Sequence, residues 1–273
     1  MATPSAIVVL GAGGLVGQAL IKRPNIVGVA RGALDLTVVD NLKSLPGPIE
    51  HSTVIMAASS GPVRSDKDAA YQQNLRMLDP LMASDPAFVV YLSTDAVYPY
   101  DTVITEAVAP DPHSAYARMH LHRERCLLEH FNDRLLIVRL TQIYGTQDRH
   151  NAYGPMRMLR QAMAGQAISL SGEGEERRDH LHVDDAAGAI SSFAQLRQPG
   201  LVNLATGRSV SFAEVASHIV DLVPVPIETD IRQQPVTHRD IDITRLNELI
   251  PDFAPRSLAT GLASVYEELK NRV

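Results

Sequence analysis

Gly11, Gly14 and Gly17 recur at three-residue spacing in Gly11-Ala-Gly-Gly14-Leu-Val-Gly17, a pattern suited to holding a pyrophosphate against bare backbone. A glycine at position 11 can enter a tight left-handed turn with no Cβ penalty. Gly14 lets the main chain approach an anion, and Gly17 lets a following helix sit close on the strand before it. The start of that helix, around Leu15 and Val16, adds free N–H groups and partial positive charge. The spacing differs from Gly-x-Gly-x-x-Gly, although Gly13 is present as well. A second chemical choice lies in Val29-Ala-Arg31-Gly, 20 residues after Gly11. An acid at the end of the second strand accepts the ribose hydroxyls of NAD, whereas a base meets the 2′-phosphate of NADP. Arg31 therefore predicts NADP(H) in preference to NAD(H), with Asp35 close enough to keep NAD in view. His180, His182, Asp184 and Asp185 form the one group that suggests a metal. Their spacing across a strand-to-helix junction is more simply structural, so no metal is expected.

Such a loop works only between a strand and a helix, and the flanking sequence supplies both. Short apolar runs rich in β-branched residues recur at Ala6–Leu10, Asn25–Ala30, Thr53–Ala58, Phe88–Leu92 and Leu135–Leu140, most of them separated by amphipathic stretches. Continuous apolar strands alternating with helices predict a parallel sheet covered on both faces. The expected fold class is α/β: a Rossmann-like, doubly wound parallel sheet, which binds ligands at the carboxyl ends of its strands. After about residue 145 the rhythm changes to glycine and charge, then to a Pro-punctuated tail. A strand–helix signal returns at Leu201–Leu204 and Ser211–Leu222, and a closing helix at Leu258–Asn271. Residues 1–145 are read as the dinucleotide-binding domain, with later returns near 180–206 and 236–244. Residues 146–273 are read mainly as a smaller, substrate-binding C-terminal cap.

Composition narrows the function class. Just under half of the 273 residues are apolar, enough for a sizeable core. The net charge of −6 with scattered Lys and Arg argues against nucleic acid, which needs a concentrated basic face. A single cysteine, Cys126, rules out a disulfide framework or a Cys-rich metal site. No apolar run approaches the ~20 residues of a membrane span. Met1–Ser5 lacks the basic region of a signal peptide, so a soluble cytoplasmic protein is expected.

Later segments, in order along the chain, resemble the extended short-chain dehydrogenase/reductases that act on nucleotide sugars. Met56-Ala57-Ala58-Ser59 resembles the family's Asn-Ala-Ala segment, with Met for Asn, and Ala70-Tyr-Gln-Gln-Asn74 the helix that follows it. Tyr91-Leu-Ser-Thr-Asp-Ala-Val-Tyr98 resembles the strand carrying the active-site Ser/Thr, and its phase puts that role on Thr94. Tyr116-Ala-Arg-Met-His120 falls where the family has Tyr-x-x-x-Lys. Arg139-Leu-Thr141-Gln-Ile-Tyr-Gly145 resembles the loop that contacts the nicotinamide. Arg178-Asp-His-Leu-His-Val-Asp-Asp185, Val202-Asn-Leu-Ala-Thr-Gly207 and Arg239-Asp-Ile-Asp-Ile-Thr-Arg-Leu246 match later landmarks.

The resemblance implies hydride transfer at a carbinol, with Tyr116 moving the proton, Thr94 orienting the substrate oxygen and residue 120 assisting the tyrosine. It assigns the cofactor to Gly11, Gly14, Leu15, Val16, Gly17, Arg31, Ala57, Ala58, Ser59, Asn74 and Thr141. Asp95, Arg178 and Arg239 are assigned to the substrate. The alternative for the arginines is internal pairing, for instance with Asp179 or Asp242. His120 departs from the family's Lys. With an ordinary pKa near 6.5 it is cationic only at mildly acidic pH, so turnover is expected to fall as it deprotonates and His120→Lys to raise neutral-pH activity. Arg118 points to another helix face, and His113 and His122 are off the Lys position. Ala96 replaces the Glu of a dehydratase Thr-Asp-Glu site, which disfavours dehydration. Ala30–Thr37 and the Ser-Thr-Asp run look most like the dTDP-4-dehydrorhamnose reductase and GDP-fucose synthase branches. That implies 4-keto reduction, with 4-epimerisation next. A homodimer through the helix near Ser114–Phe131 is implied as well. The rival reading is a non-catalytic NADP-binding regulator, credible because the Lys is missing.

Overall fold

Residues 6–38, 49–148 and 154–272 are described in the computed structural model of the chain. Met1–Ser5, read above for a leader, lie outside the described residues. The first half runs β1 (Ile7–Leu10), α1 (Leu15–Leu20), β2 (Ile26–Val29), β3 (Thr53–Met56), α2 (Ala69–Arg76), α3 (Asp79–Ser84), β4 (Phe88–Thr94), β5 (Val103–Ile104), α4 (Ala115–Phe131) and β6 (Leu135–Leu140). The second half adds β7 (Gln142–Tyr144), α5 (Pro155–Met163), β8 (Ile168–Ser171), β9 (Arg177–His182), α6 (Val183–Leu196), β10 (Gly200–Leu204) and β11 (Ser209–Ser211). It closes with α7 (Phe212–Leu222), β12 (Ile227–Asp230), β13 (Asp240–Ile241), α8 (Thr244–Leu249) and α9 (Leu258–Lys270).

The main sheet is parallel throughout, in the order β2-β1-β3-β4-β6-β10. Successive side chains of a strand point to opposite faces, and the strand sequences exploit this fully. Val9, Ile55, Val90, Leu136 and Val202 pack against α1 and α6. Their neighbours Val8, Leu10, Val54, Tyr91 and Ile137 pack against α3 and α4. Both sets are apolar because both faces are covered. The same alternation puts Tyr91 and Ser93 on the α4 side of β4 and Arg139 on the α4 side of β6, with Ser93 paired in register to Arg139.

The chain leaves β1 toward β2 and returns to the other side of β1 at β3, so strand order reverses between β1 and β3. Ligands of open α/β sheets bind outside the carboxyl ends of the strands at such a point. Smaller sheets, β11-β9-β7 and β12-β8, join α5, α7 and α9 around a separate core that includes Tyr144, Leu159, Leu170, Ile219 and Leu262. Side-chain caps fix several helix starts: the Ser114 hydroxyl accepts from the Ala117 N–H at α4, and that of Ser211 from the Glu214 N–H at α7. No helix among the described residues is long and apolar enough to cross a membrane.

Candidate active site

A cavity of about 450 Å³ opens at the strand-order reversal. Gly11, Gly14, Leu15, Val16 and Gly17 form one wall, Ala57, Ala58 and Ser59 another, and Arg31 lies at the end of β2. The loop is made by its glycines. The Gly11 N–H donates to the Val29 carbonyl (3.0 Å) and the Gly14 N–H to the Gly11 carbonyl (3.0 Å). Gly11 holds φ +101°, and a Cβ there would lie 2.7 Å from the Ala58 nitrogen. A Cβ on Gly17 would lie 2.2 Å from the Gly11 carbonyl oxygen. A Cβ on Gly13, by contrast, would meet nothing within 4 Å, because that residue faces the open cavity. Bare backbone bent around open space fits a dinucleotide pyrophosphate.

Asn74 and Thr141, expected at the cofactor, do not line this cavity. Asn74 is buried, accepts from the Ser60 N–H (2.9 Å) and donates to the Ser60 carbonyl (2.6 Å), tying α2 to the loop after β3. The Thr141 hydroxyl donates to the Asp179 carbonyl (2.8 Å), tying the end of β6 to β9.

In the lining of the same cavity Tyr116, on the first turn of α4, meets His120 edge to face with ring centroids 4.7 Å apart. Tyr116 is 42% exposed and His120 only 4%. Burial, with the neighbouring Arg123, pushes the His120 imidazole down to about 3. His120 is thus neutral well below the range in which its sequence position suggested a charge, and the expected loss of turnover near its ordinary pKa does not follow. Arg118 lies elsewhere, paired with Asp66 at 2.9 Å.

The strand above this corner presents Ser93, not Thr94, to the cavity. Thr94 ends β4 with its hydroxyl turned back to accept from the Ala96 N–H (3.2 Å). The Ser93 hydroxyl donates to Glu124 (2.5 Å), and Arg139 grips the same carboxylate from β6. Glu124 follows His120 by one helical turn, so both face β4.

Asp95, Arg178 and Arg239 converge from three elements and are all buried. The Arg239 guanidinium stands 3.8 Å from the Asp95 carboxylate and 4.4 Å from the centre of the Tyr100 ring. Arg178 lies over the same ring at 5.6 Å, donates to Thr237 and pairs with Glu176 at 3.8 Å. Burial raises the Asp95 carboxyl, with Arg239 and Arg178 pulling the other way. The sequence-level alternatives, Asp179 and Asp242, are not the partners. Asp179 accepts N–H bonds from Thr206 and Arg208, and Asp242 accepts from the Thr244 N–H. His180 packs on Phe212, and His182 caps α6 by accepting from the Asp184 N–H. No metal-binding group of three or more ligands occurs among the described residues.

The sequence pattern of the NAD dependent epimerase/dehydratase family matches residues 7–205. The chain belongs to this family. Within it, a dTDP-4-dehydro-6-deoxy-D-allose reductase of Streptomyces bikiniensis is 32% identical over 153 residues, 52% of this chain and 44% of the relative. The chain therefore matches less than half of that relative's length. Solved structures similar over nearly the whole chain show the same fold. One is MoeE5 in complex with UDP-glucose and NAD (TM-score 0.81, 23% identity, 98% of this chain and 99% of that one). Another is the dTDP-glucose 4,6-dehydratase of Bacillus anthracis in complex with NAD (TM-score 0.83, 17% identity, 98% and 97%).

The cofactor expectation is corrected. Four of the similar solved structures, MoeE5 in two complexes among them, hold NAD, against one that holds NADPH. The physical reason lies on the same rim as Arg31. Asp35 also lines the cavity, and bonds from the Thr37 hydroxyl (2.7 Å) and N–H (2.9 Å) hold its carboxyl below the usual range. A fixed carboxylate accepts ribose hydroxyls and repels a 2′-phosphate. Sequence reading gave more weight to Arg31 while keeping Asp35 in view, and it missed Thr37, which the turn at 35–38 brings to the same cavity and bonds to Asp35. It also missed Ser93, Gln73 and Met77 in the lining, and Arg123 and Glu124 behind it. The Ser/Thr phase of β4 and the one-turn spacing from His120 to Glu124 were the available signals.

Proposed function

We propose that the chain is an NAD(H)-dependent oxidoreductase of nucleotide sugars that reduces a 4-keto deoxysugar, with 4-epimerisation as the second reading. The observation that carries this is the presence of Tyr116 in the same cavity as the glycine cradle. NAD(H), when bound, supplies or accepts the hydride. The cradle at Gly11–Gly17 would hold its pyrophosphate, and Asp35 its adenosine ribose. Tyr116 would give a proton to the oxygen of the reduced carbonyl, or take it in the reverse direction. Thr94 does not line this cavity and takes no part in the step, while His120 would bond a hydroxyl beside Tyr116. Asn74 and Thr141 would act by holding the loops around the cofactor. The pair Arg178 and Arg239, with Asp95 as internal counter-charge, would receive the nucleotide diphosphate beneath the cap formed mainly by residues 146–273. Ala96 at the dehydratase Glu position, and the reductase activity named for the Streptomyces relative, support reduction over elimination. Pairing through α4, whose Leu128 is half exposed, would make a homodimer.

The test crosses NAD(H) and NADP(H) with dTDP-, UDP- and GDP-linked sugars and 4-keto sugars, reading thermal shift and nicotinamide absorbance. Tighter binding of NAD(H) and NADH oxidation with a 4-keto nucleotide sugar are expected. Cofactor binding with no turnover on any sugar would instead support a non-catalytic NAD-binding sensor.

A further inference from the structure

The two ring nitrogens of His120 stand in different surroundings. Nδ1 is 2.7 Å from the Tyr91 hydroxyl, whereas Nε2 is buried and has no hydrogen-bond partner. Which nitrogen carries the proton follows from what surrounds that hydroxyl. Arg123, the next inward-facing residue of α4, lies over the Tyr91 ring with its guanidinium carbon 5.1 Å from the ring centre. A guanidinium offers donors only. Glu124, the nearby carboxylate, is engaged by Ser93 and Arg139. The Tyr91 O–H therefore finds its acceptor in Nδ1, which must be bare.

We propose that Tyr91 is a positioning residue that fixes His120 as the Nε2–H tautomer, a neutral donor beside Tyr116. Arg123 completes the arrangement, with one guanidinium nitrogen donating to the Ala58 carbonyl (3.1 Å) in the cofactor wall. The work a lysine ammonium would do at position 120 is divided. His120 supplies the hydrogen bond to a hydroxyl at this corner, and Arg123 supplies a permanent positive charge behind it. Around the imidazole, Tyr91 from β4 and Tyr116 from α4 are phenols, and Arg123 opposes a second positive charge. Burial and Arg123 both hold the ring unprotonated. The catalytic meaning of this unit rests on the proposed role of Tyr116; the tautomer itself does not.

Side-chain ¹⁵N–¹H correlation spectra of the full chain without substrate test it, with the His120 signals assigned by loss in His120→Gln. The expected result is a single Nε2–H tautomer that does not titrate between about pH 5.5 and 8. Tyr91→Phe, close in shape, should give a mixture of tautomers at the same ring. An Nδ1–H tautomer in the parent chain, titration in that range, or an unchanged tautomer in Tyr91→Phe would overturn the proposal. With a turned-over nucleotide sugar in hand, Tyr91→Phe should lower kcat about tenfold with little change in KM. The expected spectra without turnover on any sugar would leave the tautomer standing and remove the proposed function instead.

Discussion

Glu124 and Arg139 face each other across α4 and β6 with a shortest contact of 2.6 Å, each side chain only 5% exposed. The pair lies behind the cavity wall, where Ser93 donates to the same carboxylate. Removing one partner leaves a desolvated charge, which costs roughly 3–5 kcal/mol. Glu124→Met and Arg139→Met should each lose stability on that scale in urea unfolding. The double variant Glu124→Met/Arg139→Met should recover most of it. Additive losses in the double-mutant cycle would show that the two charges are held by other partners.

The glycine loop gives a sharper steric expectation. Gly17→Ala forces a Cβ to 2.2 Å from the Gly11 carbonyl oxygen, a backbone atom that cannot rotate away. It should lower the melting temperature and weaken NAD binding at least tenfold by calorimetry. Gly13→Ala meets no protein atom within 4 Å and should leave stability alone. Equal losses in both variants would mean that the loop differs from the geometry described.

Replacing His120 by the lysine that the Tyr-x-x-x-Lys resemblance implies should not restore such a site. The ammonium introduced there would be buried beside the Arg123 guanidinium, with the neighbouring Glu124 carboxylate already held by Ser93 and Arg139. His120→Lys alone should lower stability by about 2 kcal/mol or more. His120→Lys/Arg123→Ala should recover part of that loss. Higher neutral-pH activity in the single variant would contradict this electrostatic account.

Buried imidazoles also set an acid limit on the fold. His120 and His180 are each pushed down to about 3, mainly by burial. Both pKa values are depressed on folding, so the unfolded chain binds more protons than the native one below about pH 6.5. Stability should be full above that pH and fall on acidification, by up to about 1.4 kcal/mol per pH unit for each histidine. His180→Leu should make the slope between about pH 6.5 and 4.5 shallower by one proton's worth. An unchanged slope in equilibrium unfolding would show that His180 is not neutral in the native state.

What was legible in the sequence were features written in local pattern. The strands β1, β3 and β6 are built on the apolar runs at 7–10, 54–56 and 135–138, and the glycine turn between β1 and α1 is written in its own residues. What escaped was the direction and company of particular side chains. Thr94 and Ser93 are adjacent and chemically alike, yet strand alternation gives them opposite faces. Arg178 finds Thr237 and Arg239 finds Asp95 in distant segments, while Glu176, two residues from Arg178, pairs with it in place of the adjacent Asp179. The state of His120 depends on α4 burying that helix face against β4, and on an arginine one turn away whose burial no local pattern announces. Asp35 was visible beside Arg31, but not the turn at 35–38 that lets Thr37 fix its carboxylate in the cavity.

The position of β10 has a consequence for how the molecule is made. Its partner β6 ends at Leu140, but β10 begins only at Gly200, after β7–β9 and helices α5 and α6 have been laid down. Such a non-local pairing forms late, since a long loop must close before the contact is rewarded. During synthesis β6 is therefore a temporary edge, apolar and unpaired on one side, the kind of surface that recruits other chains. Fragments ending before residue 200 should aggregate, even though they contain the glycine loop, Tyr116 and His120.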